Sequence, residues 1–221
     1  MKIRVICVSR TLAAGGEEVA RTLSQRMGFR YVDEEIVAKA AEKDKVDVQL
    51  VKDAEKRQSF IDRLLESLAV APAPEVMAVS PGLMHPVAFS TGLELSGGAT
   101  LRGTEHYRQL IREVVGETAR QGNVVIVAHA AAMALAGEDG VLRVLVTASP
   151  EVRAKRLAEA RKLSVEQAAA EIKDSDKSRR DYFKSFYEVR EEEPTHYDIV
   201  VNTDMLSLDQ AVEAVVSAAR R

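Results

Sequence analysis

The 221-residue chain is 46% hydrophobic with a formal net charge of −3, which suits one large domain, or one domain with a small inserted lid, and leaves ample apolar surface for a core. No overall basic field points to a nucleic-acid polymer, and no apolar run approaches the ~20 residues that cross a bilayer. A single cysteine, Cys7, excludes a disulfide framework within one chain, and Met1 to Val8 lacks a signal-peptide pattern, so the expected setting is reducing and cytoplasmic.

Residues 3–8 (IRVICV) form a nearly continuous, β-branched apolar run, the pattern of a buried parallel strand, with Cys7 as a small core residue. Arg10 to Gly16 follow as a turn. A helical pattern then runs to about Met27, with Val19, Ala20, Leu23 and Met27 on one face and Gly28 as C-cap. Residues 29–32 make a brief second strand, and Asp33 caps a helix carrying Ile36, Val37 and Ala40. Residues 47–69 read as one long helix or two shorter ones. Residues 70–103 hold Pro72, Pro74, Pro81, Pro86 and Gly97-Gly98 and read as a long excursion. Its apolar residues, among them Met77, Leu83, Val87 and Phe89, want burial and would suit a homodimer contact.

A helix from about Thr104 to Gln121, closed by Gly122, leads into the strand NVVIVA (123–128), and VLRVLVT (141–147) is a further strand. Ser149-Pro150-Glu151 starts a helix with a cap, an N1 proline and an acid in the first turn. Ser164 with Gln167 makes a capping box for the next helix, and Ser207 with Gln210 starts the last, after the strand YDIVVN (197–202). This order predicts an α/β fold, a five-stranded parallel sheet between two helical layers, in a single domain over 1–221.

Ligands of such sheets bind at the carboxyl ends of the strands. The first strand runs directly into Ser9-Arg10-Thr11-Leu12-Ala13-Ala14-Gly15-Gly16-Glu17-Glu18. A strand, a small-residue turn and a helix start together form an anion site from backbone N–H groups and the helix dipole. Gly15-Gly16 taken alone equally fits a tight turn before a helix. Two basic groups, Arg153 to Lys162 and Lys177 to Lys184, suit a small anionic ligand within a mildly acidic chain.

Ser9-Arg10 with Gly15-Gly16 and Val19-Ala20 resembles the opening of the cytidylate kinase-like family. Tyr31-Val32-Asp33 is similar to that family's aromatic-x-Asp element, Asn123 to Ala128 to its third strand, and Ser149 to Arg153 to the helix leading to its lid. Arg180-Asp181-x-x-Lys184, Tyr197 to Thr203 and Leu206 to Val212 resemble its lid and closing strand–helix. The resemblance covers both ends of the chain and little of 70–103. It implies a phosphate-loop kinase-like fold of the nucleoside-monophosphate kinase type, with an acceptor-side excursion over about 34–103 and a helical lid over about 151–190.

The chain departs from the full loop G-x-x-x-x-G-K-[ST], in which lysine holds the β/γ-phosphates and the hydroxyl binds Mg²⁺. With Gly15 on the second glycine, Arg10 replaces the first, Gly16 takes the lysine position, and Glu18 falls at or beside the Ser/Thr position. Ala13-Ala14 stand where the family has Gly-Ser. Arg10 could bind phosphate as a guanidinium, or pair with Glu17 or Asp33. After the third strand, His129 stands where the family has an acceptor-facing arginine.

The resemblance implies ATP and Mg²⁺ as cofactors. It places phosphate or nucleotide binding on Arg10, Ala13, Ala14, Gly15, Gly16, Glu17 and Glu18. It assigns catalytic roles to Asp33, Arg156, Arg179 and Arg180, and acceptor contacts to Asp33, His129, Lys184 and Asn202. No residue is expected to bind metal directly. Arg153, Lys155 and Lys162 read instead as a solvated face paired with acids such as Asp176, and Tyr182, Phe183, Phe186 and Tyr187 as core. The implied activity is ATP-dependent phosphoryl transfer to a nucleoside monophosphate, CMP or dCMP by default. Two alternatives stand beside it: a catalytically impaired nucleotide-binding or regulatory protein, and a kinase of another small molecule.

Overall fold

The computed structural model describes residues 2–33, 109, 112–127 and 131–220. The helices expected between Asp33 and residue 69, the 70–103 excursion and His129 lie outside the described residues.

Strands β1 (Val5–Arg10), β2 (Arg30–Val32), β3 (Val124–Val127), β4 (Val141–Thr147) and β5 (Ile199–Asn202) form one parallel, five-stranded sheet in the order β2-β3-β1-β4-β5. In its middle, Cys7 of β1 lies level with Ile126 of β3 and Arg143 of β4. β1 is thus flanked by two strands that both come later in the chain. The chain leaves β1 for β2 on one side and leaves β3 for β4 on the other, and this reversal opens the crevice where ligands of doubly wound sheets bind.

The described helices are α1 (Gly16–Met27), α2 (112–120), α3 (Ala131–Ala134), α4 (Pro150–Arg161), α5 (Val165–Tyr187) and α6 (Leu208–Ala219), with a 3₁₀ turn at Pro194–His196. On one face of the sheet, Ile6, Val8, Val125, Val127, Val144 and Val146 pack against Val19 and Leu23 of α1 and Val212, Val215 and Val216 of α6. On the other, Cys7, Val124 and Ile126 meet Val114 and Val115 of α2 and Tyr182 and Phe183 of α5. These two cores make the fold a three-layer α/β/α sandwich. Each fully buried Val, Leu or Ile side chain contributes about 1.5–3 kcal/mol by leaving water. Burial pushes the Cys7 thiol up to about 12, so it packs as a hydrophobe and not as a nucleophile.

Helix starts follow their local chemistry. Ser149 accepts from the Val152 N–H, and Ser164/Gln167 and Ser207/Gln210 both form complete capping boxes. Charged residues on the sheet and between helices are paired. Arg143 of β4 clasps Asp198 through its Nε and Nη2 at 3.2 and 2.7 Å, and its backbone N–H reaches the same carboxylate at 2.8 Å. Burial alone would raise Asp198, but these hydrogen bonds and the Arg143 charge outweigh it and hold the carboxyl below its ordinary range.

Arg153 differs from the solvated residue expected of it. Only 3% exposed, it donates to both Asp176 oxygens at 2.9 and 2.6 Å and to the Ala148 carbonyl at 3.0 Å. The pairing with Asp176 matches the expectation. The burial follows from the packing of α4 on α5, where Ala154, Leu157, Ala158, Ala168 and Ile172 make a third apolar cluster.

Candidate phosphate-binding site and lid

β1 ends at Arg10 and α1 starts at Gly16, so five residues carry the chain from sheet to helix. The Thr11 N–H donates to Val146 O at 3.1 Å, tying the loop to β4, and the Ala14 N–H turns back to Thr11 O at 3.2 Å. Ala13 (φ 60°) and Gly15 (φ 79°) are both left-handed. Glycine takes that region freely, whereas alanine does so at a cost. Val19 donates to Gly15 O, the first helical bond. The N–H groups of Gly16, Glu17 and Glu18 therefore open the helix without intrahelical acceptors, at its positive end.

Gly16 is required by contact, not by its own φ. A Cβ there would stand 2.5 Å from the Arg10 Cβ, an atom fixed to the backbone that cannot swing aside. Gly16→Ala is expected to displace the loop, costing ~1–3 kcal/mol of stability as overpacking does. Urea denaturation checks this, and a variant that matches the parent would show that the loop yields without consequence.

The Arg10 side chain takes one of the pairings left open by its sequence: Nε and Nη2 donate to Glu17 Oε1 at 3.1 and 2.6 Å. Arg179 on α5 reaches the other side of the same strand end. Its side chain, 6% exposed, donates to Arg10 O at 3.0 Å, Ser9 Oγ at 2.9 Å, and Glu192 Oε2 and Oε1 at 2.7 and 2.6 Å. The guanidinium also lies 4.8 Å from the Phe183 ring centre. The Tyr197 hydroxyl donates to Glu192 Oε1 and stands 3.3 Å from Ser9 Oγ. Burial pushes this phenol well above its usual range; Arg179 opposes the rise and Glu192 adds to it.

Arg156 on α4 turns to the chain just beyond β5, with Nη1 donating to Thr203 Oγ1 at 2.9 Å and Nη2 to Thr203 O at 2.6 Å. Asn202 is exposed and its Oδ1 accepts the Asp204 N–H at 2.8 Å, while Asp204 Oδ1 accepts the Ser149 N–H at 2.7 Å. Asp33 follows β2, which β3 separates from β1, and accepts from the Tyr31 hydroxyl at 3.0 Å. Arg21 of α1 covers the Tyr31 ring at 4.5 Å. Burial, with Asp33 adding to it, pushes the Tyr31 phenol up, so it stays a hydrogen-bond donor to that carboxylate. Arg180 and Lys184 are exposed on α5.

The structure thus brings Arg10, Ala13 to Glu18, Arg156 and Arg179 around one loop. It places Asp33 across β3 from that loop and leaves Arg180, Lys184 and Asn202 at the surface. Ser9, Glu192 and Tyr197 join the site without having been singled out as binding residues; Thr203, which closes the strand that resembles the family's last, joins it too. Among the described residues no group of three or more His, Cys, Asp or Glu stands together as a metal site, and no helix is long and apolar enough to cross a membrane.

The sequence profile of the cytidylate kinase-like family matches residues 5–205, a span that takes in the loop, α5 and Thr203. The chain belongs to the cytidylate kinase-like family. Curated relatives include the cytidylate kinase of Pyrobaculum neutrophilum, 33% identical over 104 residues, 47% of this chain and 56% of the relative. That of Natronomonas pharaonis is 38% identical over 85 residues, 38% of this chain and 44% of the relative. The chain spans about half the length of the curated relatives it matches. Two solved structures share the fold. An uncharacterized protein from Eubacterium ventriosum superposes with a TM-score of 0.60 at 15% identity, covering 98% of each chain. A shikimate kinase from Bacteroides thetaiotaomicron gives 0.52 at 15% identity, covering 97% of each. The fold of this family member is therefore that of the phosphate-loop kinases.

Proposed function

We propose that this chain binds ATP at residues 10–18 and transfers its γ-phosphoryl group to a nucleoside monophosphate, with CMP or dCMP as the default acceptor. The observation that carries the reading is the open N-terminus of α1 at the carboxyl end of β1, within the span matched by the family. Helix N-termini of this kind hold phosphate through backbone N–H groups. The donors are those of Gly15, Gly16, Glu17 and Glu18, because the Ala14 N–H already closes the turn onto Thr11. Ala13 and Gly15 shape the turn, and Arg10 contributes its charge beside Glu17.

Catalysis falls to residues that steady charge as it moves, since phosphoryl transfer is chiefly positioning and electrostatics. Arg180 supplies a cation from the lid. Arg156 and Arg179 act beside the loop, the first through Thr203 and the second through Ser9 and the Arg10 carbonyl. Asp33, Lys184, Asn202 and His129 are the acceptor-side groups, with Asp33 also catalytic by holding the acceptor in line. The loop's donor set fits a phosphate chain, and Mg²⁺ would arrive on the ATP phosphates and offset their charge there. The proposed setting is the cytoplasm.

A second reading, nucleotide binding without transfer, draws on Arg10, Arg156 and Arg179 all being engaged by protein groups. Calorimetric titration separates the two. ATP is expected to bind with a Kd of ~10 µM only when Mg²⁺ is present, within the usual range for such substrates, and to tighten CMP binding. CDP should then appear on incubation. ATP binding without CDP formation would favour the second reading, and no heat with either nucleotide would overturn both.

A further inference from the structure

Thr203 lies one residue past β5 and is 6% exposed. Its N–H donates to Thr147 O at 2.8 Å, which carries the β4–β5 ladder one step beyond Asn202. The side chain then reaches across the end of β4 to the loop. The hydroxyl donates to Ala14 O at 2.8 Å, with Thr147 O a more distant acceptor at 3.3 Å. A hydroxyl has one proton to give and lone pairs to receive, and here a lone pair accepts from Arg156 Nη1 at 2.9 Å. The same guanidinium holds the Thr203 carbonyl at 2.6 Å, so one cation grips the residue at two points. A donor polarised by a cation in a buried setting is stronger than a neutral hydroxyl in water.

The consequence lies in the peptide plane. The unit from Ala14 to Gly15 is rigid and trans, so its C=O and N–H point in opposite directions. Fixing Ala14 O on Thr203 fixes the Gly15 N–H away from Thr203. Gly15, left-handed at φ 79°, has no side chain to hold its own orientation. The Ala14 N–H on Thr11 secures the preceding side of the turn but leaves this plane free to rotate.

We propose that Thr203, gripped by Arg156, is the positioning residue of the phosphate loop: it sets the Ala14–Gly15 peptide so that the Gly15 N–H faces the bound phosphate. The proposal rests on the reading of this loop as the nucleotide site. It gives the polar pair that ends β5 a role in holding the loop's shape, and it explains how a loop without the usual Gly-Ser keeps its form.

The test compares the parent with Thr203→Val, which keeps the shape and loses the proton, and Thr203→Ser, which keeps the hydroxyl. ATP and CMP are titrated separately, and amide hydrogen exchange is followed over residues 11–19. Thr203→Val is expected to weaken ATP binding about tenfold, the scale of one hydrogen bond of this kind, and to speed exchange in the loop. CMP binding should stay unchanged, and Thr203→Ser should behave as the parent. A general loss of structure would instead weaken both ligands and would not be rescued by serine. If the parent and Thr203→Val bind ATP alike, with equal loop exchange, the role of Thr203 is overturned and the nucleotide site stands. If the parent binds no ATP, the site and this role fall together. Should Thr203→Val not fold, Arg156→Met with the same exchange measurement replaces it. Faster loop exchange supports the grip, and parental exchange overturns it.

Discussion

On the proposed transfer reaction, Arg180→Ala is expected to lower kcat by about 100-fold or more and to leave the ATP dissociation constant within about twofold of the parent, the pattern of a charge that acts mainly in the transition state. Adjacent residues on a helix point about 100° apart. Arg179 faces inward and is bound to Ser9, Arg10 O and Glu192, so Arg180 faces out. Among the described residues, no hydrogen bond or ion pair holds it. Its Cα lies ~3.8 Å from that of Arg179, whose side chain is fixed to the end of β1. Because none of the described residues is bonded to it, truncation is expected to leave thermal stability unchanged. Steady-state kinetics with ATP and CMP, beside an ATP titration, read the two effects separately. Unchanged turnover would remove Arg180 from the reaction.

Glu192→Ala should destabilise the fold by about 3 kcal/mol, the lower end of the cost of leaving a buried charge without its partner. Its side chain is 16% exposed, which is why the lower end applies. Two Arg179 nitrogens and the Tyr197 hydroxyl lose their acceptor at once, while Ser9 and the Arg10 carbonyl remain as neutral partners. Glu192→Gln should cost less, since an amide oxygen still accepts from Arg179 and Tyr197 but brings no charge. Urea denaturation measures both. A loss below about 0.5 kcal/mol for the alanine variant, the scale of an exposed pair, would mean that the network is solvated in solution.

Features written in neighbouring residues were legible in the sequence, and those that depend on distant partners were not. Ser149-Pro150, Ser164/Gln167 and Ser207/Gln210 set helix starts where expected, because a cap is a bond between residues three apart. The first strand was expected at 3–8 and runs from Val5 to Arg10. Its polar end reads as a turn until Arg179, 170 residues later, is seen to satisfy the buried Ser9 hydroxyl. The parallel sheet and the two-sided core follow from alternating strand and helix patterns, and they emerged, whereas the strand order depends on which distant strands meet and is seen only in the fold. In the site, nothing in the sequence separates Arg179 from Arg180, or Glu192 from Glu191 and Glu193. One of each is drawn inward by helix phase and by a partner on another element. Thr203 was legible as a polar residue at a strand's carboxyl end, where the resemblance puts ligand-contacting groups, but its bond to Ala14 O, 189 residues earlier, was not.

The contact between Arg10 and Gly16 bears on the routes by which this loop could change. In the G-x-x-x-x-G-K-[ST] pattern the first position is a glycine and the seventh a lysine. Here bulk and charge sit at the first position, and the seventh is bare. The Cβ that a lysine would bring to position 16 falls 2.5 Å from that of Arg10. The gap admits a side chain at only one of the two positions. Gly16→Lys alone would meet a steric wall, whereas Arg10→Gly opens the space, alone or as the first half of a paired change. A lysine at position 16 is thus open to this loop only once position 10 has given up its side chain, so the order of the two changes decides whether the second can occur.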